Sequence, residues 1–154
     1  MVNLEFETTV RVRYADTDQM GVMYYANYLV LFEIARTEFL RDIGLPYALL
    51  EKRGLYLPVA ECYCRYRAPA YYDDLLIVKT YLKKMSFVKM KFDYLIFRDK
   101  TERGERGDER ENKILLAEGY TTHGFINKDH KVIRIPEDFK RKIVEREKGI
   151  KWKN

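Results

Sequence analysis

The segment from Tyr28 to Ile43 restricts the fold more than any other, because its pattern predicts a helix with apolar residues on nearly every side. Its first two turns hold Tyr28, Leu29, Val30, Leu31, Phe32, Ile34 and Ala35. A helix that is apolar all round is normally a buried one, so other elements must cover it. Gly44 is placed to end this helix in a left-handed conformation, and Pro46 discourages its continuation.

The rest of the chain is predicted to consist mainly of β-strands. Apolar and polar residues alternate from residue 4 to residue 14, which is the period-two pattern of a strand with one buried face. The charged segment 98–112, with two central glycines, is predicted to be a solvated hairpin tip. The other predicted elements are a helical turn at 47–51, strands at 56–67, 74–84, 86–98, 112–126 and 131–135, and a surface helix at 136–148.

One buried helix followed by a series of antiparallel strands predicts an α+β fold in which a curved sheet wraps the helix. The length of 154 residues fits one domain, so we expect residues 1–154 to form a single unit. Such a sheet covers its helix on one side and leaves an edge strand unpaired. Pairing with a second copy of the chain is therefore expected.

Composition excludes several classes of function. No apolar run approaches the ~20 residues of a membrane helix, and the N-terminus lacks the features of a secretory signal, which predicts a cytosolic protein. The net charge of +5 fits nucleic acid, a membrane surface or an anionic small molecule, but no nucleic-acid-binding motif appears. Cys62 and Cys64 lie two residues apart in a predicted strand, so they form neither a ready disulfide nor a zinc site. The chain has one glutamine, and 34% of its residues are charged, a bias typical of selection at high temperature.

The stretch from Tyr14 to Tyr28 joins a turn with two carboxylates to the start of the buried helix. A helix N-terminus presents unpaired N–H groups and a partial positive charge that stabilise an oxyanion, while a nearby aspartate supplies a base or a nucleophile. This combination is typical of an active site. On these residues alone, however, capping of turns is the simpler explanation of Asp16 and Asp18.

The same stretch carries a family resemblance. From Asp16 to Tyr28 the pattern is D-x-D-x-x-G-V-x-Y-x-x-N-Y, and further matching segments follow at residues 32–38, 66–69, 73–75 and 83–87. Over about residues 4–127 the chain resembles the hotdog-fold acyl-CoA thioesterases of the 4-hydroxybenzoyl-CoA thioesterase family. The resemblance implies a hotdog fold, a dimer with one continuous sheet that is often doubled into a tetramer, and thioester hydrolysis without a metal or redox cofactor.

The resemblance also implies roles for two residues. The second aspartate of the family motif is the catalytic carboxylate, acting as nucleophile or general base, and this position is Asp18. The backbone N–H that polarises the thioester carbonyl belongs to Tyr25, whereas Asp16 is expected to be a structural turn residue. Some family members carry histidine in place of Tyr25, so a side chain that would assist proton transfer is absent, but the oxyanion role uses only the backbone.

Three further residues match family positions near the ligand. Lys83 and Lys84 correspond to basic residues that contact the nucleotide end of coenzyme A, although adjacent strand residues face opposite ways and both need not bind. The alternative is a pair of ordinary strand-end lysines. Glu33 matches a position near the active site, and its alternative role is an ion pair with a nearby base on the buried helix.

The two histidines do not fit the site. His123 and His130 are predicted at the end of a strand and in the following turn, as surface or hairpin residues. A hotdog dehydratase would have a histidine at the active-site turn, and a histidine-rich metal site would need a cluster, so the sequence argues against both.

The sequence therefore leads to three functional hypotheses. The first is a cytosolic acyl-CoA thioesterase that uses Asp18 and the Tyr25 amide. The second is a hotdog protein that binds an acyl-CoA or acyl-carrier ligand without turnover. The third is a binder of nucleic acid or a membrane surface, whose association would depend strongly on salt. Short, long and aromatic acyl groups all remain open.

Overall fold

Five antiparallel strands form one sheet, and a long helix packs against it. The computed structural model describes residues 4–101 and 112–149. The strands are ordered β1-β3-β4-β5-β2, which confirms the predicted α+β hotdog fold with a sheet wrapped around one long helix. In chain order the elements are β1 (Leu4–Arg11), α1 (Asn27–Asp42), α2 (Tyr47–Lys52), β2 (Val59–Tyr66), β3 (Leu75–Met85), β4 (Lys89–Asp99), β5 (Lys113–Gly124) and α3 (Glu137–Glu147).

The helix α1 packs its larger side chains onto the sheet. Phe32 stacks on Tyr94 of β4, with ring centroids 4.2 Å apart, and Phe39 contacts Phe92 edge to face at 5.4 Å. Full burial of such a side chain stabilises the fold by roughly 1.5–3 kcal/mol. The buried residues of α1 are Tyr28, Leu31, Phe32, Ala35, Phe39 and Leu40.

The opposite side of α1 is left uncovered by residues 4–101 and 112–149. Leu29, Val30 and Ile34 keep 37%, 47% and 37% of their surface exposed. The prediction of a helix buried on every side is therefore wrong for the single chain, because one sheet covers only one side of a helix. These apolar residues remain available to a further partner.

The end of α1 has the predicted glycine cap. Gly44 has a φ of +80°, a conformation that glycine adopts without a steric penalty. Leu45 N–H donates to Leu40 O at 2.8 Å, and Gly44 N–H donates to Arg41 O at 3.0 Å. This pair of bonds is the Schellman motif, which satisfies carbonyls that the helix end would otherwise leave unpaired.

Two strand predictions differ from the structure. The first strand ends at Arg11 rather than at residue 14, because residues Tyr14–Asp16 form a turn of 3-10 helix. Segment 131–135 forms only an isolated bridge, between Val132 and Ile126. The predicted helices at 47–51 and 136–148 are confirmed as α2 and α3. Of the predicted hairpin tip, residues 102–111 lie outside the described residues.

The predicted positions of the two cysteines and of His130 agree with the structure, whereas that of His123 does not. Cys62 and Cys64 both lie on β2 as free thiols, as predicted. His130 is exposed in a turn, also as predicted. The predicted surface position of His123 is wrong, because its ring lies fully buried in the core.

The burial of His123 is explained by its hydrogen bonds. Its Nδ1 lies 3.2 Å from the carbonyl oxygen of Leu57, which can only accept, so Nδ1 carries the proton. Its Nε2 lies 2.8 Å from Thr121 Oγ1, which in turn lies 2.8 Å from the hydroxyl of Tyr94. A neutral ring is therefore satisfied at both nitrogens, and a satisfied polar group is tolerated in a core.

Candidate active site

Asp18 lies in a tight loop between β1 and α1. Its N–H donates to Val22 O at 2.9 Å, and its carbonyl accepts from Gly21 N–H at 3.0 Å. Gly21 has a φ of +77°, which explains the glycine at this turn. The carboxylate accepts one hydrogen bond, from Met20 N–H to Oδ1 at 2.8 Å, and no other donor in the described part of the chain reaches it. The loop therefore holds the carboxylate by one oxygen and leaves the other to a ligand.

Asp16 has a different, structural role. Its carboxylate pairs with the Arg13 guanidinium at 2.8 Å and accepts from Arg13 N–H at 2.8 Å. The hydrogen bond from the Arg13 side chain lowers the pKa of Asp16, so this carboxylate stays ionised and paired. Its carbonyl oxygen accepts from Tyr24 N–H at 2.8 Å and from Asn27 Nδ2 at 2.9 Å. Asp16 thus fastens the Asp18 loop to the start of α1.

The start of α1 leaves two backbone amides unused. Tyr24, Tyr25 and Ala26 accept from the amides three residues further on, at 2.9, 3.3 and 3.2 Å, so the helix begins with tight turns. Ala26 already has helical angles, with φ −66° and ψ −23°. Within residues 4–101 and 112–149, no acceptor takes the N–H of Tyr25 or of Ala26. Such amides carry the positive end of the helix dipole and bind anions.

A cleft of about 440 Å³ is lined by both Asp18 and Tyr25. Asp18 and Met20 form one wall, and Arg67, Ala68 and Pro69 after β2 form another. Most of the remaining lining is aromatic and comes from Tyr24, Tyr25, Tyr28 and Tyr66. The cleft is thus mainly apolar, with one carboxylate at its edge.

The tyrosines of the cleft are packed against one another. Tyr66 meets Tyr28 edge to face at 5.0 Å and Tyr25 at 6.4 Å, and its hydroxyl donates to Tyr25 O at 2.9 Å. Burial is the main cause that raises the pKa of Tyr66, and burial likewise raises that of Tyr28. Both phenols therefore remain protonated near neutral pH.

This arrangement is suited to attack on a polarised carbonyl. A carboxylate with one unbonded oxygen acts as a base or a nucleophile. Backbone donors at a helix start stabilise negative charge that develops on a carbonyl oxygen, and they need no rearrangement to do so. Apolar walls bind a hydrophobic group and strengthen these electrostatic interactions.

The other predicted ligand residues lie elsewhere in the same chain. Lys83 and Lys84 are near the far end of β3, whereas the Asp18 loop lies beside the start of that strand, through a bridge between Val22 and Tyr71. Nine residues at about 3.3 Å each separate Leu75 from Lys84, which is about 30 Å. These lysines do not line the cleft.

Glu33 also lies away from the cleft. It is exposed on α1 and lines two smaller depressions together with Arg36. In the described chain it forms no ion pair within 4.0 Å, which is the contact that its structural alternative required. Its predicted part in ligand binding stays a prediction.

Sequence reasoning assigned no role to Tyr66 or Arg67. The segment 66–69 was recognised only as part of the family pattern, and its place in the cleft depends on where β2 ends. Arg67 pairs with Glu118 of β5 at 2.9 Å, which holds it at the cleft wall. Pairing of this kind across 51 residues leaves no local signal in the sequence.

The described residues contain neither a metal-binding cluster nor a membrane-spanning helix. No group of three or more His, Cys, Asp or Glu side chains is arranged to hold a metal ion among residues 4–101 and 112–149. No helix in that part of the chain is both long and apolar enough to cross a membrane.

Comparison with known proteins identifies the class to which this fold and site belong. Residues 12–143 match the model of the thioesterase-like superfamily. The acyl-CoA thioesterase YbgC of Haemophilus influenzae is 38% identical over 100 residues, which cover 64% of this chain and 74% of that protein. The chain therefore belongs to the thioesterase-like superfamily of hotdog proteins, as its sequence resemblance predicted, and it is an enzyme of the thioester hydrolase class.

Solved structures agree with this assignment. The hypothetical protein TT1821 of Thermus thermophilus is 38% identical and superposes with a TM-score of 0.79, covering 92% of this chain and 96% of that one. The DHNA-CoA thioesterase of Staphylococcus aureus is 30% identical with a TM-score of 0.78, covering 95% of each chain. The fold thus matches over nearly the whole length of each chain.

Proposed function

We propose that this protein is a cytosolic acyl-CoA thioesterase in which Asp18 is the catalytic carboxylate and Tyr25 N–H is the oxyanion donor. The observation that carries the proposal is the cleft itself, which is lined by Asp18 and by Tyr25. The Asp18 carboxylate accepts one hydrogen bond, and the Tyr25 N–H has no acceptor among the described residues. Relatives named acyl-CoA thioesterase and DHNA-CoA thioesterase support a coenzyme A thioester as substrate.

The reaction follows from these groups. Either Asp18 takes a proton from water as the water attacks the thioester carbon, or a carboxylate oxygen attacks that carbon directly and water then hydrolyses the resulting anhydride. In both routes the carbonyl oxygen becomes negative, and the Tyr25 N–H stabilises it. Collapse of this oxyanion breaks the C–S bond in both routes, and in the nucleophilic route this step forms the anhydride. The sulfur leaves as a thiolate, which in the base route can take the proton held by Asp18. The products are the free acid and coenzyme A.

The nucleotide end of the substrate needs basic contacts, and among the described residues Arg67 alone offers one in the Asp18 cleft. We assign Lys83 and Lys84 to this part of coenzyme A, with Glu33 near the ligand. Because the lysines lie about 30 Å along β3 from the end nearest Asp18, this assignment requires that they serve the cleft of a second copy of the chain.

The test is thiol release from a panel of acetyl, short-chain, long-chain and aryl coenzyme A thioesters. We expect the wild type to hydrolyse at least one of them and Asp18→Asn to lose at least ~100-fold in kcat, because the amide is neither a base nor a nucleophile. Asp129→Asn is the matched control, since Asp129 is exposed in the turn after β5 and should keep full activity.

Two outcomes would count against the proposal. If the wild type binds acyl-CoA but releases no thiol, the protein is a binding module. If Asp18→Asn and the wild type are equally active, another group performs the chemistry. In an active enzyme, mass spectrometry after rapid quenching separates the two routes, because only the nucleophilic route acylates the peptide that contains Asp18.

A further inference from the structure

Tyr66 connects the edge strand of the sheet to the amide turn that begins α1. It is the last residue of β2, and its hydroxyl donates to Tyr25 O at 2.9 Å across 41 residues of sequence. The chain turns sharply just after it, where the N–H groups of Arg67 and Ala68 both donate to Leu116 O, at 2.7 and 3.1 Å. The sheet thus determines where this phenol lies.

The direction of this hydrogen bond is fixed by chemistry. A backbone carbonyl only accepts, so the phenol must donate its proton to Tyr25 O. The other bond to this oxygen is long, from Tyr28 N–H at 3.3 Å. The phenol is therefore the closer of the two groups that hold the Tyr25 carbonyl, and it keeps its proton because its pKa is raised.

Holding this carbonyl affects the donors beside it. The Tyr25 carbonyl and the Ala26 N–H belong to one planar peptide group, so fixing the oxygen fixes the direction of the N–H. A peptide that accepts a hydrogen bond at oxygen is also polarised and becomes a stronger donor at nitrogen. The preceding peptide, which carries the Tyr25 N–H, is held by Asn27 N–H on Tyr24 O at 2.9 Å. Each peptide of the donor turn thus has its own hydrogen bond.

We propose that Tyr66 is a positioning residue of the reaction, which holds the Tyr25 carbonyl, and with it the turn that presents the Tyr25 N–H, in the geometry that stabilises the oxyanion. This inference rests on the proposed thioesterase function. Tyr66 acts through the backbone turn and takes no proton from the substrate. Its removal should therefore lower the rate of the chemical step more than the binding of substrate.

Tyr66→Phe tests the proposal, because it removes the hydroxyl and keeps the ring that lines the cleft. With the best substrate of the panel, we expect kcat to fall about 3- to 10-fold, the range that one neutral hydrogen bond supports, and KM to stay within about twofold.

Tyr63→Phe is the matched control. Tyr63 lies on the same strand and is similarly exposed, but it stacks on Tyr120 at 5.5 Å and does not line the cleft. We expect it to retain wild-type kcat and KM. Hydrogen exchange gives a readout independent of turnover, because Tyr66→Phe should speed exchange of the Tyr28 amide and Tyr63→Phe should not.

The possible failures are distinguishable. A wild type that hydrolyses no thioester overturns the proposed function and this inference with it. An active wild type with unchanged kcat in Tyr66→Phe overturns only the positioning role. A rise in KM with kcat unchanged would mean that Tyr66 only lines the cleft. Equal losses of kcat in Tyr66→Phe and Tyr63→Phe would mean a general effect on the sheet. Either result overturns the positioning role.

Discussion

At the scale of single residues, the polar groups of the Asp18 loop and the buried His123 differ in how they are paired. Asp18 and Asp16 occupy one loop, yet Arg13 neutralises only Asp16. The ring nitrogens of the buried His123 contact the neutral oxygens of Leu57 and Thr121, and desolvation, with a further effect of the Arg36 charge, lowers its pKa to about 4. Its burial therefore makes stability depend on pH.

We expect the protonation of His123 to destabilise the fold in mild acid. The unfolded chain has a histidine pKa of about 6.5, so it binds more protons than the folded state between about pH 6.5 and pH 4. The free energy of unfolding should fall as pH decreases through this range, by up to about 3 kcal/mol from this residue. Urea unfolding at pH 7 and pH 4.5 measures the loss.

His123→Gln should remove this contribution, so its stability should fall less between the two pH values than that of the wild type. The exposed His130 provides the control, as His130→Asn should keep the wild-type pH dependence. Equal pH dependence in all three proteins would mean that the buried ring does not control acid stability. The test compares how much stability each protein loses between the two pH values. A lower stability of His123→Gln at both pH values therefore does not affect it.

The same residues show what sequence can predict. Sequence could predict that Asp16, Asp18 and Tyr25 lie close together, because they belong to one motif of thirteen residues, whereas the catalytic roles of Asp18 and Tyr25 come from the family resemblance and stay predictions. The positions of Tyr66, Arg67 and the buried His123 could not be predicted, because their partners are Tyr25, Glu118 and Leu57, at least 41 residues away. Contacts of that length are determined by strand register, which local patterns do not specify.

At the scale of the elements, α1 packs so tightly on β5 at Gly119 that a side chain has no room there. A Cβ on this residue would lie 2.8 Å from the ring of Phe32 and would also collide with the backbone carbonyl of Tyr63. Neither neighbour can yield, since one ring is fully buried and the other atom belongs to the adjacent strand. The helix α1 can therefore pack this closely on β5 only because Gly119 has no side chain.

Gly119→Ala should therefore lower the free energy of unfolding by about 1–3 kcal/mol, the usual cost of overpacking a core. Gly124 ends the same strand and has no atom within 4 Å of a Cβ, so Gly124→Ala is the control and should change stability little. The midpoint of denaturant unfolding measures the change, provided that the slope of the free energy of unfolding against denaturant concentration is the same in each protein. A Gly119→Ala variant as stable as the control would show that β5 shifts to make room.

The ends of helices and strands could be predicted from the sequence where a local signal exists. The glycine cap of α1 and the proline that precedes α3 were placed correctly, because both act through the backbone of neighbouring residues. The end of β1 was not, since the 3-10 turn at Tyr14–Asp16 depends on the pair between Arg13 and Asp16. The alternation of apolar residues continues past the point where that pair bends the chain.

At the scale of the whole molecule, the single chain leaves one side incomplete. The strand β2 pairs only with β5 within the described residues, so its other edge has unpaired backbone groups. All of its residues except Cys64 are exposed, and the apolar residues Leu29 and Val30 of α1 lie nearby across a depression shared with Val59. An unpaired edge beside exposed apolar side chains is a surface that a second copy would cover.

We expect the protein to be a dimer, or a tetramer built from two dimers, joined through β2 of each copy. Two antiparallel copies of Val59–Tyr66 related by a two-fold axis pair with one residue opposite its own copy, and they form the most hydrogen bonds when that residue is Cys62 or Tyr63, near the middle of the strand. Cys62→Lys would then bring two like charges together near the two-fold axis and weaken association. Cys62→Ser is the neutral control.

Light scattering after size exclusion measures the mass of each protein against the 18.5 kDa chain. The wild type and Cys62→Ser should have the mass of two or four chains, and Cys62→Lys should move toward one chain on dilution. Because Lys83 and Lys84 are assigned to the cleft of a second copy, Cys62→Lys should also raise the KM for coenzyme A thioesters on dilution. A monomeric and fully active wild type would contradict both expectations, since the cleft of one chain would then bind the nucleotide unaided.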